Sequence, residues 1–273
     1  MADQATHAST PSSDQNAEGQ PILMMRGISK HFGAVRALNN VDFEVYPGEV
    51  VALVGDNGAG KSTLVKAISG VGPADEGEAF VNGEPVVINS PQASSRLGIE
   101  TVYQDLALCD NLDVVANLFL GHELHTGSVL SEVEMERRSL EVLRVLDVKL
   151  PSARSIVSTL SGGQRQSIAV AKTILRRARV VLLDEPTAAL GVAQTKQVLN
   201  LIRRLREQNL GVVVISHNMA DVFEVADRII VMRLGQRVAT FNVGEVTNER
   251  VIAAITGADF GETVPSNGLP GGK

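Results

Sequence analysis

The chain has no tryptophan, two tyrosines and seven phenylalanines, so aromatic residues make up only 3% of its 273 positions. Hydrophobic residues reach 44%, so the core must be aliphatic. That suits a parallel sheet of Val, Ile and Leu strands covered by helices. A single cysteine, Cys109, excludes an intrachain disulfide and fits a reducing compartment. No apolar run approaches the ~18 residues needed to span a bilayer, so any membrane role is expected to come through a partner. The opening "MADQATHASTPSSDQNAEGQ" lacks the basic start and apolar stretch of a secretion signal. Basic excess is missing too: 25 Lys and Arg face 31 Asp and Glu, for a net charge of −6. This argues against a general nucleic-acid surface. The local runs at 137–138, 176–179 and 203–206 read as solvated helix faces, because acids stand close by in helix-patterned segments.

What is present alternates between strand and helix. "GEVVALVG", "VVLL" at 180–183 and "GVVVIS" at 211–216 are short, apolar and β-branched, as buried parallel strands are. A helix-like run follows each, which points to an α/β fold with a parallel sheet. The segment from about 105 to 170 interrupts the alternation, and its "LSEVEMERRSLEVLRVLDV" carries Leu and Val at helical spacing. It is expected to be a helical sub-domain inserted into the α/β core. Polar composition marks 1–20 as a disordered tail and 259–273 as a flexible one. Residues 21–258 are left as one domain.

Five short stretches carry the chemistry. "GDNGAGKST" (Gly55, Asp56, Asn57, Gly58, Ala59, Gly60, Lys61, Ser62, Thr63) fits G-x-x-x-x-G-K-[ST], with a strand before it and a helix-like run after. Its glycines let backbone N–H groups turn inward on a phosphate, and the helix N-terminus adds about half a positive charge there. Lys61 is suited to the β- and γ-phosphates and Ser62 to Mg²⁺. "VVLLDEPT" delivers Asp184 and Glu185 to the carboxyl end of a buried strand, where α/β sheets bind ligands. Asp184 can serve the metal, and Glu185 can orient or deprotonate a water. "VVVISHN" repeats the device with His217, and "TVYQDLAL" places Gln104, a potential metal or water ligand, just after a strand-like segment. In "LSGGQRQ", Ser161 can cap a helix beginning near Gly163 and face an anion. An ordinary cap remains the alternative for that stretch taken alone.

These pieces in this order resemble the nucleotide-binding subunit of an ATP-binding cassette (ABC) transporter. "GDNGAGKST" matches Walker A, Gln104 the glutamine loop, "LSGGQ" the signature, "VVLLDE" Walker B and "ISHN" the switch histidine. The likeness runs from about Ile22 to Gly257. It implies a P-loop NTPase core with a mainly parallel sheet, an antiparallel β sub-domain and the inserted helical sub-domain. It also implies ATP and Mg²⁺, with Ser62, Gln104 and Asp184 around the metal, Glu185, His217 and Gln104 acting in hydrolysis, and Phe32 stacking on adenine. Ser161, Gly162, Gly163 and Gln164 would act in trans, on the ATP of a second copy.

The finer resemblance is to bacterial importers of ribose, xylose and fructose. It rests on "VYQDLALCDNLDVVANLFLG", "DEPTAALGV" and "SHNMADVFEVADRIIVMRLGQRVA". It implies a homodimer on the cytoplasmic face of the cell membrane, bound to integral-membrane permease subunits and served indirectly by a periplasmic sugar-binding protein, with no nucleic acid. An importer or exporter of another solute and a non-transport cassette ATPase are the alternatives. Two positions depart from the general family: Phe32 stands for the usual Tyr, and "AALG" (188–191) lacks the Asp that commonly links the two subunits' sites.

Overall fold

A computed structural model describes residues 19–258; the two tail expectations fall outside that range apart from Gly19 and Gln20. The chain opens with long antiparallel strands β1 (Leu23–Phe32) and β2 (Val35–Val45), followed by β3 (Val50–Val54) and helix α1 (Lys61–Ile68). A short hairpin β4 (Glu76–Val81) and β5 (Glu84–Val86) leads through α2 (Pro91–Arg96) to β6 (Ile99–Val102). Next come α3 (Val114–Phe119), a two-stranded ribbon β7 (His125–Thr126) and β8 (Val129–Leu130), α4 (Glu132–Val145) and α5 (Gly162–Leu175). Strand–helix alternation then resumes with β9 (Val180–Asp184), α6 (Val192–Glu207), β10 (Gly211–Ile215), α7 (Met219–Val225) and β11 (Arg228–Arg233). The edge strand β12 (Gln236–Asn242) and α8 (Asn248–Thr256) complete the described chain.

Two sheets organise these elements. The main sheet has the order β12-β11-β3-β10-β9-β6, and all its pairs are parallel except β11 with β12. The second is antiparallel, in the order β2-β1-β4-β5. The parallel strands are buried on both faces. Val50, Ala52 and Val54 of β3 join one core with Val181, Leu183, Val212 and Val214, and helices of the 114–205 region. Val51 and Leu53 point the other way, into a second core with Leu182, Val213, Ile215, α1 and the antiparallel sheet. A strand with a period of two must be apolar at every position when both faces are covered, which is why these segments read as continuous Val/Leu/Ile runs.

The insertion between β6 and β9 is helical except for the β7–β8 ribbon. Its helix α4 buries Met135, Ser139 and Leu143 at a spacing of four and turns a charged face outward. The basic runs lie on such faces with their acids in place. Arg137 and Arg138 both reach Glu134, at 2.6 and 2.7 Å, and Arg137 also pairs with Glu141. Arg203, Arg204 and Arg206 of α6 pair with Glu224, Asp147 and Asp227.

No helix among the described residues is long and apolar enough to cross a membrane.

Candidate nucleotide site

Four neighbouring parallel strands end side by side, and one of the candidate stretches leaves each of them. β3 runs into Gly55–Gly60, β10 into His217, β9 into Glu185 and β6 into Gln104. Register makes this a geometric statement: Leu53 lies opposite Ile215, Ile215 opposite Asp184, and Val102 opposite Leu183. Polar residues following those positions therefore gather along one edge of the sheet, at its carboxyl end.

The loop after β3 is shaped by its glycines and by β11. Gly55 has φ 148°, and a Cβ there would lie 2.2 Å from the Met232 carbonyl oxygen, so no larger residue fits between loop and strand. Gly60 has φ 102° and begins α1 without a side-chain cap, which leaves the helix's first N–H groups directed outward as an anion site. The turn joining β11 to β12 holds the loop from behind: Gly235 N donates to Ala59 O at 3.0 Å, and Asn39 N donates to Gly235 O at 2.8 Å. Ala59 is buried, while Asp56, Asn57 and Gly58 at the tip are exposed.

Charge is concentrated at the same place. Lys61 donates from Nζ to the carbonyls of Gly55 (2.5 Å) and Asp56 (3.0 Å). Burial lowers its pKa, against the opposing pull of Glu185, Asp56 and Asp184. Burial likewise raises the Asp184 carboxyl above the usual carboxylate range, the Glu185 charge adds to the rise, and Lys61 opposes it. One lysine and two carboxylates thus sense each other electrostatically, a pattern that accompanies functional sites. Glu185 sits at φ 49°, left-handed for a non-glycine residue, and its N–H donates to Ile215 O at 2.9 Å. Its carboxylate meets the ring of His217, Nδ1 to Oε1, at 2.9 Å. Gln104 is exposed beyond β6, and Phe32 is 56% exposed at the end of β1, with Lys30 Nζ 5.8 Å from its ring centre. Ser62 is exposed and Thr63 half-buried on the first turn of α1.

The signature stretch stands apart from this group. No hydrogen bond or ion pair among the described residues joins 161–164 to the loop at 55–63. Ser161 is the N-cap of α5, with a capping box: its Oγ accepts from Gln164 N at 3.3 Å, and Gln164 Oε1 accepts from Ser161 N at 3.0 Å. Gln164 Nε2 also donates to Lys149 O, so its side chain is engaged within its own protomer. The glycine pair has a packing role that spacing alone did not reveal. A Cβ on Gly162 would meet Leu190 at 2.9 Å, and one on Gly163 would meet Gln197 at 3.0 Å and Gln194 at 3.3 Å. At Gly163 the absent side chain lets α5 approach α6 itself, while Ser161 stays exposed at the helix tip.

Three further positions were not singled out from the sequence. Thr187 Oγ1 donates to Asp221 Oδ2 at 2.6 Å, and Asn218 caps α7 by accepting from Ala220 N at 3.1 Å. The "DEPT" and "SHN" contexts contained or bordered them, but a hydrogen bond between residues 34 positions apart has no local signal.

Among the described residues, no group of three or more His, Cys, Asp or Glu side chains is placed to hold a metal by itself. The oxygen donors at the site, the Ser62 hydroxyl, the Asp184 carboxylate and the Gln104 amide, are of the hard type that suits Mg²⁺ shared with phosphate.

Comparison with known proteins bears on family and fold. The ABC transporter family model matches residues 38–188. A fructose import ATP-binding protein of Rhizobium meliloti is 45% identical over 247 residues, covering 88% of this chain and 95% of that one. A xylose/arabinose import ATP-binding protein of Sulfolobus acidocaldarius is 44% identical over 246 residues, with coverages of 88% and 98%. A ribose import ATP-binding protein of Burkholderia cenocepacia is 41% identical over 88% of this chain, which spans 47% of that longer protein. Among solved structures, an ATP-binding cassette of an ABC transporter in its ADP conformation superposes with TM-score 0.75 at 25% identity, covering 86% of this chain and 95% of that one. A dimeric post-hydrolysis cassette bound to ADP and Pi gives TM-score 0.67 at 25% identity, with coverages of 81% and 98%. With a family model matched over more than half of its length and a relative 45% identical over 88% of it, the chain belongs to the ABC transporter family.

Proposed function

We infer that this chain is the ATP-binding and ATP-hydrolysing subunit of an importer of monosaccharides. The supporting observation is the convergence of Lys61, Asp184, Glu185 and His217 at adjoining strand ends, in a chain whose relatives over 88% of its length are named for fructose, xylose/arabinose and ribose import. In this reading residues 21–258 form one ATPase domain, with the helical sub-domain at about 105–170.

Phosphoryl transfer to water asks for positioning and charge neutralisation more than covalent chemistry. The residues Gly55–Thr63 bind the phosphates through backbone N–H groups, and the Lys61 ammonium moves from its own loop carbonyls to the phosphate oxygens. Phe32 offers an exposed ring for the adenine. Ser62, Asp184 and Gln104 would hold Mg²⁺, which supplies charge neutralisation to the β- and γ-phosphates when bound. Glu185 accepts a proton from the attacking water, and His217 orients that carboxylate and faces the γ-phosphate. The second wall of the site comes from another copy, whose Ser161 and following N–H groups lie at an exposed helix tip. That gives a homodimer with two shared ATP sites.

ATP bridges the two copies, and hydrolysis releases them, so nucleotide favours one of two states. The segment after Gln104 and the helical sub-domain transmit closure to integral-membrane permease subunits on the cytoplasmic face of the membrane, with a periplasmic sugar-binding protein acting on the permease from the far side. Reconstitution with the permease encoded alongside tests the reading. ATPase activity should rise when a binding protein is loaded with a monosaccharide; stimulation by a panel of other solutes, with none by sugars, would overturn it.

A further inference from the structure

Two loops leave the neighbouring strands β9 and β10 and are tied to each other twice. The inner tie is the Glu185–His217 contact at 2.9 Å. The outer tie lies two residues past Glu185 and four past His217, where Thr187 Oγ1 donates to Asp221 Oδ2 at 2.6 Å. We propose that Thr187 and Asp221 are a positioning pair that fixes the Glu185 carboxylate for hydrolysis; this rests on the reading of Glu185 as the group that activates water.

The first argument is backbone strain. Glu185 at φ 49° and Ala189 at φ 59° are both left-handed without being glycine. Such residues are strained and persist where the surroundings over-determine them. Within this loop the backbone bonds Ala188 N→Glu185 O and Leu190 N→Thr187 O are local, and local turns do not anchor a loop to its surroundings. Two ties lead out of it to the β10 side at Glu185: the N–H on Ile215 O and the carboxylate on His217. His217 is 77% exposed, so the contact it makes is open to exchange with water or substrate. The Thr187 hydroxyl provides the third tie, and it is sheltered.

The second argument is the chemistry of Asp221. It is only 8% exposed, yet among the described residues its side chain is paired with a neutral hydroxyl rather than a cation. A buried carboxylate without a counter-ion is expensive. Its place in the first turn of α7, where the helix's N-terminal N–H groups favour negative charge, offsets part of that cost. A charge-assisted bond of this length is strong and directional. α7 starts two residues after His217, so a bond from α7 to the Glu185 loop sets the spacing of the two reacting side chains together. Among the described residues no hydrogen bond or ion pair joins Thr187 or Asp221 to the phosphate loop, so the pair acts on the chemical step and leaves nucleotide affinity alone.

The test compares Thr187→Val, Thr187→Ser and Asp221→Asn in the full chain, with Glu185→Gln alongside. A misplacement of the order of 1 Å at a catalytic group costs up to ~10²-fold, so Thr187→Val is expected to lower kcat about 10-fold or more while KM for ATP stays within about 2-fold. Thr187→Ser, which keeps the donor, should restore kcat, and Asp221→Asn, which keeps an acceptor, should fall between them. Asp221→Asn combined with Thr187→Val should be no slower than Thr187→Val alone, because one interaction is removed once. Binding of a fluorescent ATP analogue reports folding of each variant independently of turnover. Wild-type kcat in a folded Thr187→Val protein would overturn the proposal, as would equal losses in Val and Ser variants. Wild-type turnover by Glu185→Gln would instead overturn the water-activating role itself, and a dead Glu185→Gln beside a normal Thr187→Val would overturn the positioning pair alone.

Discussion

His217 Nδ1 lies 2.9 Å from Glu185 Oε1, joining the residues that follow two adjacent parallel strands. The carboxylate is sheltered at 19% exposure and the ring is open at 77%, which suits a fixed base and a contact that can turn toward substrate. Glu185→Gln keeps shape and hydrogen bonding but removes the proton acceptor. General-base removal typically costs 10²–10⁴-fold, so kcat should drop by about that factor while ATP binding persists and the protein accumulates as a nucleotide-bound dimer. Size-exclusion chromatography with ATP, beside a phosphate-release assay, reads both halves. A monomeric variant hydrolysing at the normal rate would remove Glu185 from the role.

Lys61 makes the complementary case. Its ammonium is held between the carbonyls of Gly55 and Asp56 and among three carboxylates. Lys61→Ala deletes charge-assisted bonds worth roughly 1.5–3 kcal/mol each, so ATP affinity should fall at least about 10-fold, with KM and Kd rising together. Calorimetric titration with a non-hydrolysable analogue measures it; unchanged affinity would detach Lys61 from the phosphates.

The parts legible in the sequence were those whose cause is local. "VVALV", "VVLL" and "GVVVI" announce buried parallel strands because two covered faces leave no polar position, and Gly-rich spacing announces the phosphate loop. The Ser161 cap was legible because a cap lies within four consecutive residues, Ser161 to Gln164. Other features are set by distant partners. Gly55 is forced by the Met232 carbonyl, and Asp221 is meaningful only beside Thr187. The β7–β8 ribbon, with two residues per strand, is too short for period-two alternation to register.

The exposed helix tip at Ser161 gives a prediction about stoichiometry. If each ATP is enclosed by Lys61 of one protomer and Ser161 of the partner subunit, Ser161→Arg and Lys61→Ala should each be inactive alone. Mixed, they form heterodimers in which one site has both faces damaged and the other has both intact. A random mixture is half heterodimer, so ATPase activity should recover to about a quarter of wild type per site. The comparison is made at concentrations where wild type dimerises. No recovery at any mixing ratio would count against shared sites.

The turn behind the phosphate loop offers a test of strain away from the chemistry. Leu234 and Gly235 join β11 to β12 with φ 49° and 76°, the left-handed pair of a two-residue type I′ hairpin, in which Asn-Gly is the favoured sequence. Leucine is poorly suited to the first position: its Cβ crowds the following carbonyl, and at 78% exposure it gains little by burial. Leu234→Asn should therefore stabilise the domain by about 0.5–1 kcal/mol, since Asn tolerates this region. For a domain of this size that is a rise in Tm of roughly 1–3 °C. Leu234→Val should act in the opposite direction, because a β-branched residue at positive φ is more strained still. Thermal unfolding of the two variants beside wild type decides it. The order Asn above Leu above Val identifies backbone strain as the cause, whereas a lower Tm for Asn would mean that the leucine side chain, not its backbone, stabilises the turn.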